Sequence, residues 1–215
     1  MDSIVFSNIS IKSKLLVGLI VIWAISASIL LLLNFPVLYN YAIECFNLPE
    51  KSGISRHIMS DNFNNLVLYL QSPFVRHFNN LIAIDDYGRK HFSDVKNLMI
   101  FNNLLCTVTS LLLCKVCIYL NKKRLYWIMY TDIKYAYYLI TAIFVFCVID
   151  FNDFFIFFHN VMFRNKDWIF DVKTNPIIKV FPSEYFIFCG AFIYAMISIA
   201  MMVMYILSKR NLNKK

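Results

Sequence analysis

Residues 15–33, LLVGLIVIWAISASILLLL, form an apolar run without a charged side chain. A helix must be about 20 residues long to cross a hydrocarbon layer of about 30 Å, and this run has that length. Lys12 and Lys14 precede it, and the following Asn34-Phe35-Pro36-Val37 has no small-residue cleavage site. The run therefore predicts a membrane-spanning helix that is retained as an anchor.

The composition of the whole chain agrees with a membrane protein. Of its 215 residues, 60% are hydrophobic, 17% aromatic and only 16% charged, which is more apolar than one soluble core can bury. We predict an all-α membrane protein, a single membrane domain over residues 1–215, with four transmembrane helices. A small helical extracytoplasmic cap is expected between the first two. The predicted spans are about 15–33, 98–120, 135–157 and 185–207, with the cap at 34–97 and an extracytoplasmic loop at 158–184.

The distribution of charge predicts the orientation of the spans. The two termini and the short loop after the second span carry ten basic and two acidic residues, whereas the cap and the later loop carry ten basic and eleven acidic residues. Basic residues accumulate on the cytoplasmic side of membrane proteins. We therefore expect both termini in the cytoplasm. The residues counted on that side are Lys12, Lys14, Lys122, Lys123, Arg124, Lys134, Lys209, Arg210, Lys214 and Lys215, with Asp2 and Asp132.

This topology also limits the classes of function. The basic residues on the predicted cytoplasmic side account for the net charge of +8. The chain has no array of basic and aromatic residues of the kind that binds nucleic acid. Cys114 and Cys117 form a CxxC pair, but it lies inside a predicted helix without a second pair or a nearby histidine. We interpret these cysteines as small residues that face lipid or a neighbouring helix rather than as a metal or redox site.

The histidines are the main candidates for chemistry. All four fall on the predicted extracytoplasmic side, and His159 lies at the rim of a span, where an ionisable group indicates a functional site. His91 and Asp94 are three residues apart, so on a helix the carboxylate can orient the imidazole. His57 and His77 are expected on the surface of the cap, and the sequence reveals no partner for either of them.

Two short blocks carry a resemblance to a known family. The first is HFSDVK, residues 91–96, directly before the second span. The second is DFFIFFHNVMFRNKDW, residues 153–168, which is followed by a Phe181-Pro182 turn. Their order in a four-span chain resembles the bacterial lipoprotein intramolecular transacylase family, abbreviated Lit. The likeness covers about residues 12–207, although its specific part is these two blocks.

The resemblance implies a reaction and two catalytic residues. Members of the family move an acyl chain from the glyceryl ester of a diacylglyceryl-modified lipoprotein to the α-amine of its own N-terminal cysteine. The product is a lyso-form lipoprotein. The functional histidines of the family correspond to His91 and His159. The implied partners are a diacylated lipoprotein and membrane lipids, with no metal and no cofactor.

A histidine pair suits this chemistry on general grounds. The ammonium must lose a proton and the departing alkoxide must gain one. An α-amine has a pKa of about 7.7 to 8, so an imidazole is a well-matched base. We assign His91 as the base, held by Asp94, and His159 as the acid or carbonyl polariser, and leave the exchange of the two roles open. The predicted supporting residues are Asp94, Lys96, Asp153, Arg164 and Trp168, and Lys166 and Lys173 are either substrate contacts or interfacial anchors.

A second class of function is compatible with the same layout. A non-catalytic membrane transport or assembly protein could use the two histidines as a metal-binding or pH-sensing pair. A transporter should carry ionisable groups deep within its spans, and only Lys115, with the neutral Asn102 and Asn103, approaches that description.

Overall fold

The structure is a computed structural model that describes the backbone of residues 2–213 and the side chains from residue 11 onward. Lys214, Lys215 and the side chain of Asp2, which contribute to the predicted charge asymmetry, lie outside the described residues. The described backbone is helical and contains no strand. Its α-helices are α1 (Asp2–Asn34), α2 (Pro36–Cys45), α3 (Leu48–Ser52), α4 (Arg56–Gln71), α5 (Asp86–Lys123), α6 (Tyr130–Ile149), α7 (Phe151–Phe163) and α8 (Ser183–Leu212), with 3-10 helices at Tyr126–Met129 and Pro176–Val180.

Four helical segments are long and apolar enough to cross a membrane. They are Ile11–Asn34 of α1, all of α5, Tyr126–Ile149 and all of α8. The prediction of an all-α protein with four membrane spans is thus confirmed. The chain is a multi-pass membrane protein.

The third span ends earlier than the sequence predicts. Residues 150–157 were expected to continue it, but α6 ends at Ile149 and α7 begins after Asp150. Asp150 leaves the helical conformation, with φ −129° and ψ 77°, and its side chain accepts a hydrogen bond from the backbone N–H of Asp153 at 3.2 Å. A carboxylate in this position satisfies a free N–H group of the first turn and so starts a new helix.

The beginning of α5 is fixed by a hydrogen-bonded junction around Asp85. Its Oδ1 accepts from the backbone N–H of Gly88 at 2.9 Å, and this bond contributes most to the lowered pKa of the Asp85 carboxyl. Asn175 forms a reciprocal pair with the same residue, because its Oδ1 accepts from the Asp85 N–H and its Nδ2 donates to Asp85 Oδ2. A Cβ at Gly88 would lie 2.6 Å from Asn175 Oδ1, so only glycine fits this approach.

The cap segment between α1 and α5 contains three helices whose ends follow local signals. Pro36 occupies the first turn of α2, where its missing N–H costs nothing. Gly53, with φ +74°, ends α3 in the left-handed conformation. Ser55 caps α4 by accepting a hydrogen bond from the Ile58 N–H at 3.4 Å. These signals explain the short helices on either side of residue 53.

Helix α4 is amphipathic. Met59, Phe63 and Leu66 are buried, whereas Ile58 is exposed. The buried positions recur every three or four residues, which places them on one face of the helix. This face therefore packs into the core of the cap.

The chain forms two compact units, each described by itself. Unit 1 comprises Met1–Ile29, Leu104–Phe146 and Ala191–Lys215, and unit 2 comprises Leu30–Asn103 and Cys147–Gly190. The apolar core of unit 1 consists of Val17, Ile20, Ala24, Leu120, Tyr126, Met129, Ile133, Ile197 and Met201.

Unit 1 also contains hydrogen bonds that side-chain hydroxyl groups form with other helices. Tyr194 of α8 shares its hydroxyl with Tyr137 at 3.3 Å and Thr141 at 2.9 Å, both from α6. Ser13 of α1 donates to the carbonyl of Ile128 at 2.9 Å and to the Asp132 carboxylate. In an apolar environment such bonds hold neighbouring helices together.

Unit 2 has an aromatic centre around Tyr39. Its ring stacks on Phe63 with a centroid distance of 4.3 Å and meets Tyr185 edge-on at 5.3 Å. The hydroxyl of Tyr39 donates to the carbonyl of Val180 at 3.0 Å, which satisfies a polar group inside this core. All four histidines of the chain belong to unit 2.

Candidate active site

His91 lies in the second turn of α5 and faces inward. It is 8% exposed, and its ring meets Phe163 edge-on with a centroid distance of 4.8 Å and Phe170 edge-on at 5.6 Å. Its Nδ1 is buried, and the described residues offer it no hydrogen-bond partner. A buried polar atom without a partner costs about 1 to 3 kcal/mol, and such a cost is commonly retained where the group has a task.

His159 lies on the buried face of α7 and is also 8% exposed. Its Nδ1 is 2.8 Å from the carbonyl oxygen of Phe155, one turn earlier. Because a carbonyl oxygen only accepts, Nδ1 carries the proton and Nε2 keeps a free lone pair. Burial lowers the pKa of His159, partly offset by the hydrogen bond to Phe155, so the imidazole is neutral at pH 7.

The structure brings the two predicted catalytic histidines together. The ring centroids of His91 and His159 are 5.8 Å apart, with 36° between the ring planes. Two imidazoles at this separation oppose simultaneous protonation, because like charges repel in a site that excludes water. The pair can therefore accept one proton and donate another to groups bound beside it.

Aromatic rings surround the pair. The ring of Trp168 lies 4.8 Å from that of His159, and the ring of Phe155 lies 3.9 Å from it. Phe163 contacts both imidazoles, at 4.8 Å from His91 and 5.5 Å from His159. Such a lining excludes water and strengthens electrostatic interactions inside the site.

The carboxylate of Asp94 forms a hydrogen bond with a residue of the turn after α7. Its Oδ2 accepts a hydrogen bond from Asn165 Nδ2 at 2.9 Å, whereas the sequence suggested that it orients His91. Trp168 donates from its indole Nε1 to the carbonyl of Asn165, also at 2.9 Å. Asp94 and Trp168, two of the predicted supporting residues, are therefore joined through Asn165.

Lys96 is buried in contact with the cap rather than with the imidazoles. Its Nζ donates to the backbone carbonyl of Val75 and lies 4.5 Å from the centroid of the Tyr69 ring. Val75 lies in the loop between α4 and α5, and Tyr69 lies in the last turns of α4. The ammonium thus fixes this loop against the beginning of α5.

The remaining predicted residues lie on the surface of unit 2. Asp153 is exposed in the first turn of α7, and Arg164 is exposed where that helix ends, with φ +52°. Lys166 and Lys173 are exposed as well. None of these four side chains has a hydrogen bond or ion pair to either imidazole among the described contacts, so a role for them in the site stays a prediction.

Three site residues were not predicted from the sequence. Asn165 and Asp167 lie in the turn after α7, and Asp167 forms an ion pair with Lys90 of α5 at 2.5 Å. Asn175 secures the beginning of α5 through Asp85. The only sequence signal for them is that polar residues follow an aromatic helix, which does not identify their partners.

The described residues contain no group of three or more histidine, cysteine or carboxylate side chains that could hold a metal ion. Cys114 is exposed and Cys117 is half-buried in α5. The arrangement of the histidine pair is suited to proton transfer.

Comparisons with known proteins agree with the resemblance in the two sequence blocks. The family model described as lipoprotein intramolecular transacylase Lit matches residues 14–186. A solved structure of Lit from Bacillus cereus is similar with a TM-score of 0.80 and 23% identity, over 99% of this chain and 98% of that chain.

Two structures of single-substitution variants of the same Bacillus cereus protein are also similar. One has a TM-score of 0.77 and 24% identity, over 97% of this chain and 94% of that chain, and the other has 0.80 and 23%, over 100% and 98%. No curated protein sequence matches this chain significantly. The structural likeness shows a common fold.

Proposed function

The chain belongs to the lipoprotein intramolecular transacylase (Lit) family, and we propose that it forms lyso-form lipoproteins with its histidine pair. As a member of this family it is a membrane acyltransferase. In the proposed reaction, an acyl chain leaves the glyceryl ester of a diacylglyceryl-cysteine and joins the α-amine of the same cysteine. Membership of an enzyme family also argues against the non-catalytic alternative.

The observation that carries the proposal is the pairing of His91 with His159 at 5.8 Å inside an aromatic lining. The α-amine has a pKa of about 7.7 to 8, so most of it is protonated at neutral pH. A neutral imidazole with a free nitrogen can remove that proton. His159 fits this base role, because the bond from Nδ1 to Phe155 leaves Nε2 free. This assignment exchanges the roles that the sequence suggested first.

The proposed transfer moves one acyl group to the amine nitrogen and removes two protons from that nitrogen. One proton leaves the ammonium for His159, and the amine nitrogen attacks the ester carbonyl to form a C–N bond. The C–O bond to the glyceryl oxygen then breaks. A second proton leaves the nitrogen, so that one of the two protons reaches the glyceryl alkoxide and the other reaches solvent. His91 polarises the carbonyl or delivers the proton to the alkoxide.

No nucleophile from the protein is needed in this scheme, because donor and acceptor belong to one molecule. The enzyme has to hold the amine close to the ester, and such orientation lowers a barrier by up to about 7 to 11 kcal/mol in favourable cases. The aromatic side chains around the imidazoles suit a lipid-modified substrate. Trp168 and Phe155 contact His159 directly and would keep water from the reacting atoms.

We also propose that the site opens on the extracytoplasmic side, with both termini in the cytoplasm. The support for this orientation is the excess of basic residues at the termini and in the loop before α6. The lipid chains of the lipoprotein would then reach the histidines from the outer leaflet of the membrane.

Mass spectrometry of a reporter lipoprotein tests this function. The protein is expressed in a bacterium that leaves its lipoproteins diacylated with a free amine, and the N-terminal peptide is analysed. We expect an N-acylated, S-monoacylglyceryl cysteine of unchanged total mass. A free amine in the presence of inserted, folded protein would refute the proposal.

An isotope experiment distinguishes intramolecular from intermolecular transfer. Purified enzyme receives a mixture of two reporter lipoproteins of different peptide sequence, only one of which carries deuterated acyl chains. Intramolecular transfer keeps all deuterium on its original peptide. Deuterated N-acyl groups on the other peptide would show transfer between molecules.

A further inference from the structure

The turn that follows α7, residues 164–168, meets α5 on both sides of His91. Asn165 Nδ2 donates to Asp94 Oδ2 at 2.9 Å, three residues after the histidine. Asp167 pairs with Lys90 Nζ at 2.5 Å, one residue before it. Helix α5 is thus held by this turn, which we name the clamp turn, at two points that bracket the imidazole.

The clamp turn is also connected to the second imidazole. Trp168 donates from Nε1 to the carbonyl oxygen of Asn165 at 2.9 Å, and its ring lies 4.8 Å from that of His159. Within the turn, Asn165 Oδ1 accepts from the backbone N–H of Asp167 at 3.1 Å. A single asparagine therefore joins the helix that carries His91 to the indole that packs on His159.

We propose that the clamp turn sets the spacing of the two imidazoles, with Asn165 as the positioning residue. This inference rests on the proposed function, because it concerns the same pair. Asn165 has no ring contact or hydrogen bond to His91 or His159 among the described contacts, so it acts through Asp94 and Trp168. Proton transfer requires reacting atoms at a fixed distance, and a displacement of 1 Å can cost about 10²-fold in rate.

The bonding of Asn165 suggests a test by exchange of charge. In Asn165→Asp, a carboxylate replaces the donor that faces Asp94, so two negative groups oppose each other about 3 Å apart. In the double variant Asn165→Asp with Asp94→Asn, the new carboxylate can accept from the new amide at position 94. It can also keep the bond from the Asp167 N–H. The exchange restores both bonds without a change in net charge.

The first readout is the rate of lyso-lipoprotein formation by purified protein at varied lipoprotein concentration. We expect kcat of Asn165→Asp to fall about 10²-fold with KM nearly unchanged, because the substrate contacts are intact but the imidazoles are misplaced. The double variant should recover to within about tenfold of the wild type. Asn165→Ala removes the bond without adding charge and should lose less than Asn165→Asp.

The second readout does not depend on catalysis. Diethyl pyrocarbonate acylates neutral imidazoles that it can reach, and peptide mass spectrometry gives the rate at each histidine. His57 and His77 are exposed and serve as internal standards, whereas His91 and His159 are buried. We expect Asn165→Asp to accelerate labelling of the buried pair relative to the standards, and the double variant to restore protection.

The two readouts separate the two proposals. A wild-type protein that produces no lyso-lipoprotein, but whose buried histidines respond to the exchange as expected, would refute the function and retain the clamp. Wild-type turnover together with unchanged kcat and protection in Asn165→Asp would overturn the clamp. Loss of kcat in Asn165→Asp that the exchange does not recover would overturn it as well. If Asn165→Asp does not accumulate, Asn165→Ala and the double variant decide by the same criteria.

Discussion

The two units of the molecule differ in the kind of polar group that they bury. The buried polar residues of unit 1 that the structure describes all carry hydroxyls, whereas those of unit 2 are amides, imidazoles, a carboxylate and an ammonium. The unit 1 set is Ser13, Ser26, Ser28, Thr109 and Ser208, and the unit 2 set is Asn62, His91, Lys96, Asn102, His159, Asp167 and Asn175.

The difference follows from the partners that each group can find. Ser28 donates to the carbonyl of Ala24 and Thr109 to that of Leu105, each one turn earlier on the same helix. A hydroxyl can thus be buried in a membrane helix without help from another segment. An imidazole or a carboxylate needs several partners and a polar site, so its burial indicates a task beyond helix packing.

The largest effect is expected from removing both imidazoles of unit 2. Because His91 and His159 act on one proton-transfer sequence, each single alanine variant should lose about 10²- to 10⁴-fold in rate. The rate of the double variant should be at most a few-fold below the rate of the slower single variant. Single-turnover formation of lyso-lipoprotein measures this.

A control from unit 1 accompanies the double variant. Ser28→Ala removes a buried hydroxyl whose described hydrogen bond lies within its own helix, and it should leave the rate unchanged. Multiplicative losses in the histidine double variant would contradict a shared role for the pair.

The next largest effect concerns the packing at the start of α5. A Cβ at Gly88 would lie 2.6 Å from both Asn175 Oδ1 and Ile84 Cγ1, so Gly88→Ala should destabilise the protein by about 1 to 3 kcal/mol. Gly18→Ala in unit 1 is the matched control, since no described atom beyond its chain neighbours and the backbone of its own helix lies within 4 Å of its Cβ position. Thermal unfolding in detergent should show a lower midpoint for the first variant only. Equal midpoints would contradict the close approach.

A smaller effect is expected from the hydroxyl network of unit 1. Tyr194→Phe removes the bonds to Tyr137 and Thr141, and interhelical hydrogen bonds in membranes contribute about 0.6 kcal/mol on average. The unfolding midpoint should fall slightly, and the transacylation rate should not change. A rate loss as large as that of a histidine variant would remove the distinction between the two units.

The smallest effect on stability at neutral pH comes from the titration of His159. This effect grows as the pH falls. Its folded pKa is lowered by burial, whereas an unfolded histidine has a pKa of about 6.5. As the pH falls below about 6.5, the unfolded state takes up the proton first. Neutral, buried His159 contributes to the free energy of unfolding above this pH. That contribution is lost as the pH falls through the folded pKa of His159.

The unfolding midpoint of the wild type should accordingly decrease between pH 7 and pH 5. His159→Phe should decrease less over the same interval, because the buried titrating group is gone. Identical decreases in the two proteins would show that His159 does not experience the burial described above.

The fold was largely predictable because apolar length alone identifies membrane helices. The division at Asp150 was not, since the residues after it remain aromatic as far as Phe158 and give no compositional boundary. What ends α6 there is a local hydrogen bond between the Asp150 side chain and the Asp153 N–H. The signal of a single capping residue is difficult to recognise in a sequence that stays apolar on both sides of it.

The sequence singled out the two histidines that the structure places side by side, but it did not predict the contacts around them. Asp94 and His91 are close in sequence, so local spacing suggested that they pair. The carboxylate instead accepts from Asn165, which is 71 positions away in the chain. Lys96 likewise bonds to the Val75 carbonyl in the cap. Partners that depend on the packing of separate segments leave no periodic signal in the sequence.

The most direct test of the histidine pair is a comparison of four single variants. His91→Ala, His159→Ala, His57→Ala and His77→Ala are each purified, and the conversion of a reporter lipoprotein is followed by mass spectrometry. The account predicts that the first two variants lose at least about 10²-fold and that the two exposed-histidine variants keep the wild-type rate. Wild-type conversion by both His91→Ala and His159→Ala would contradict it.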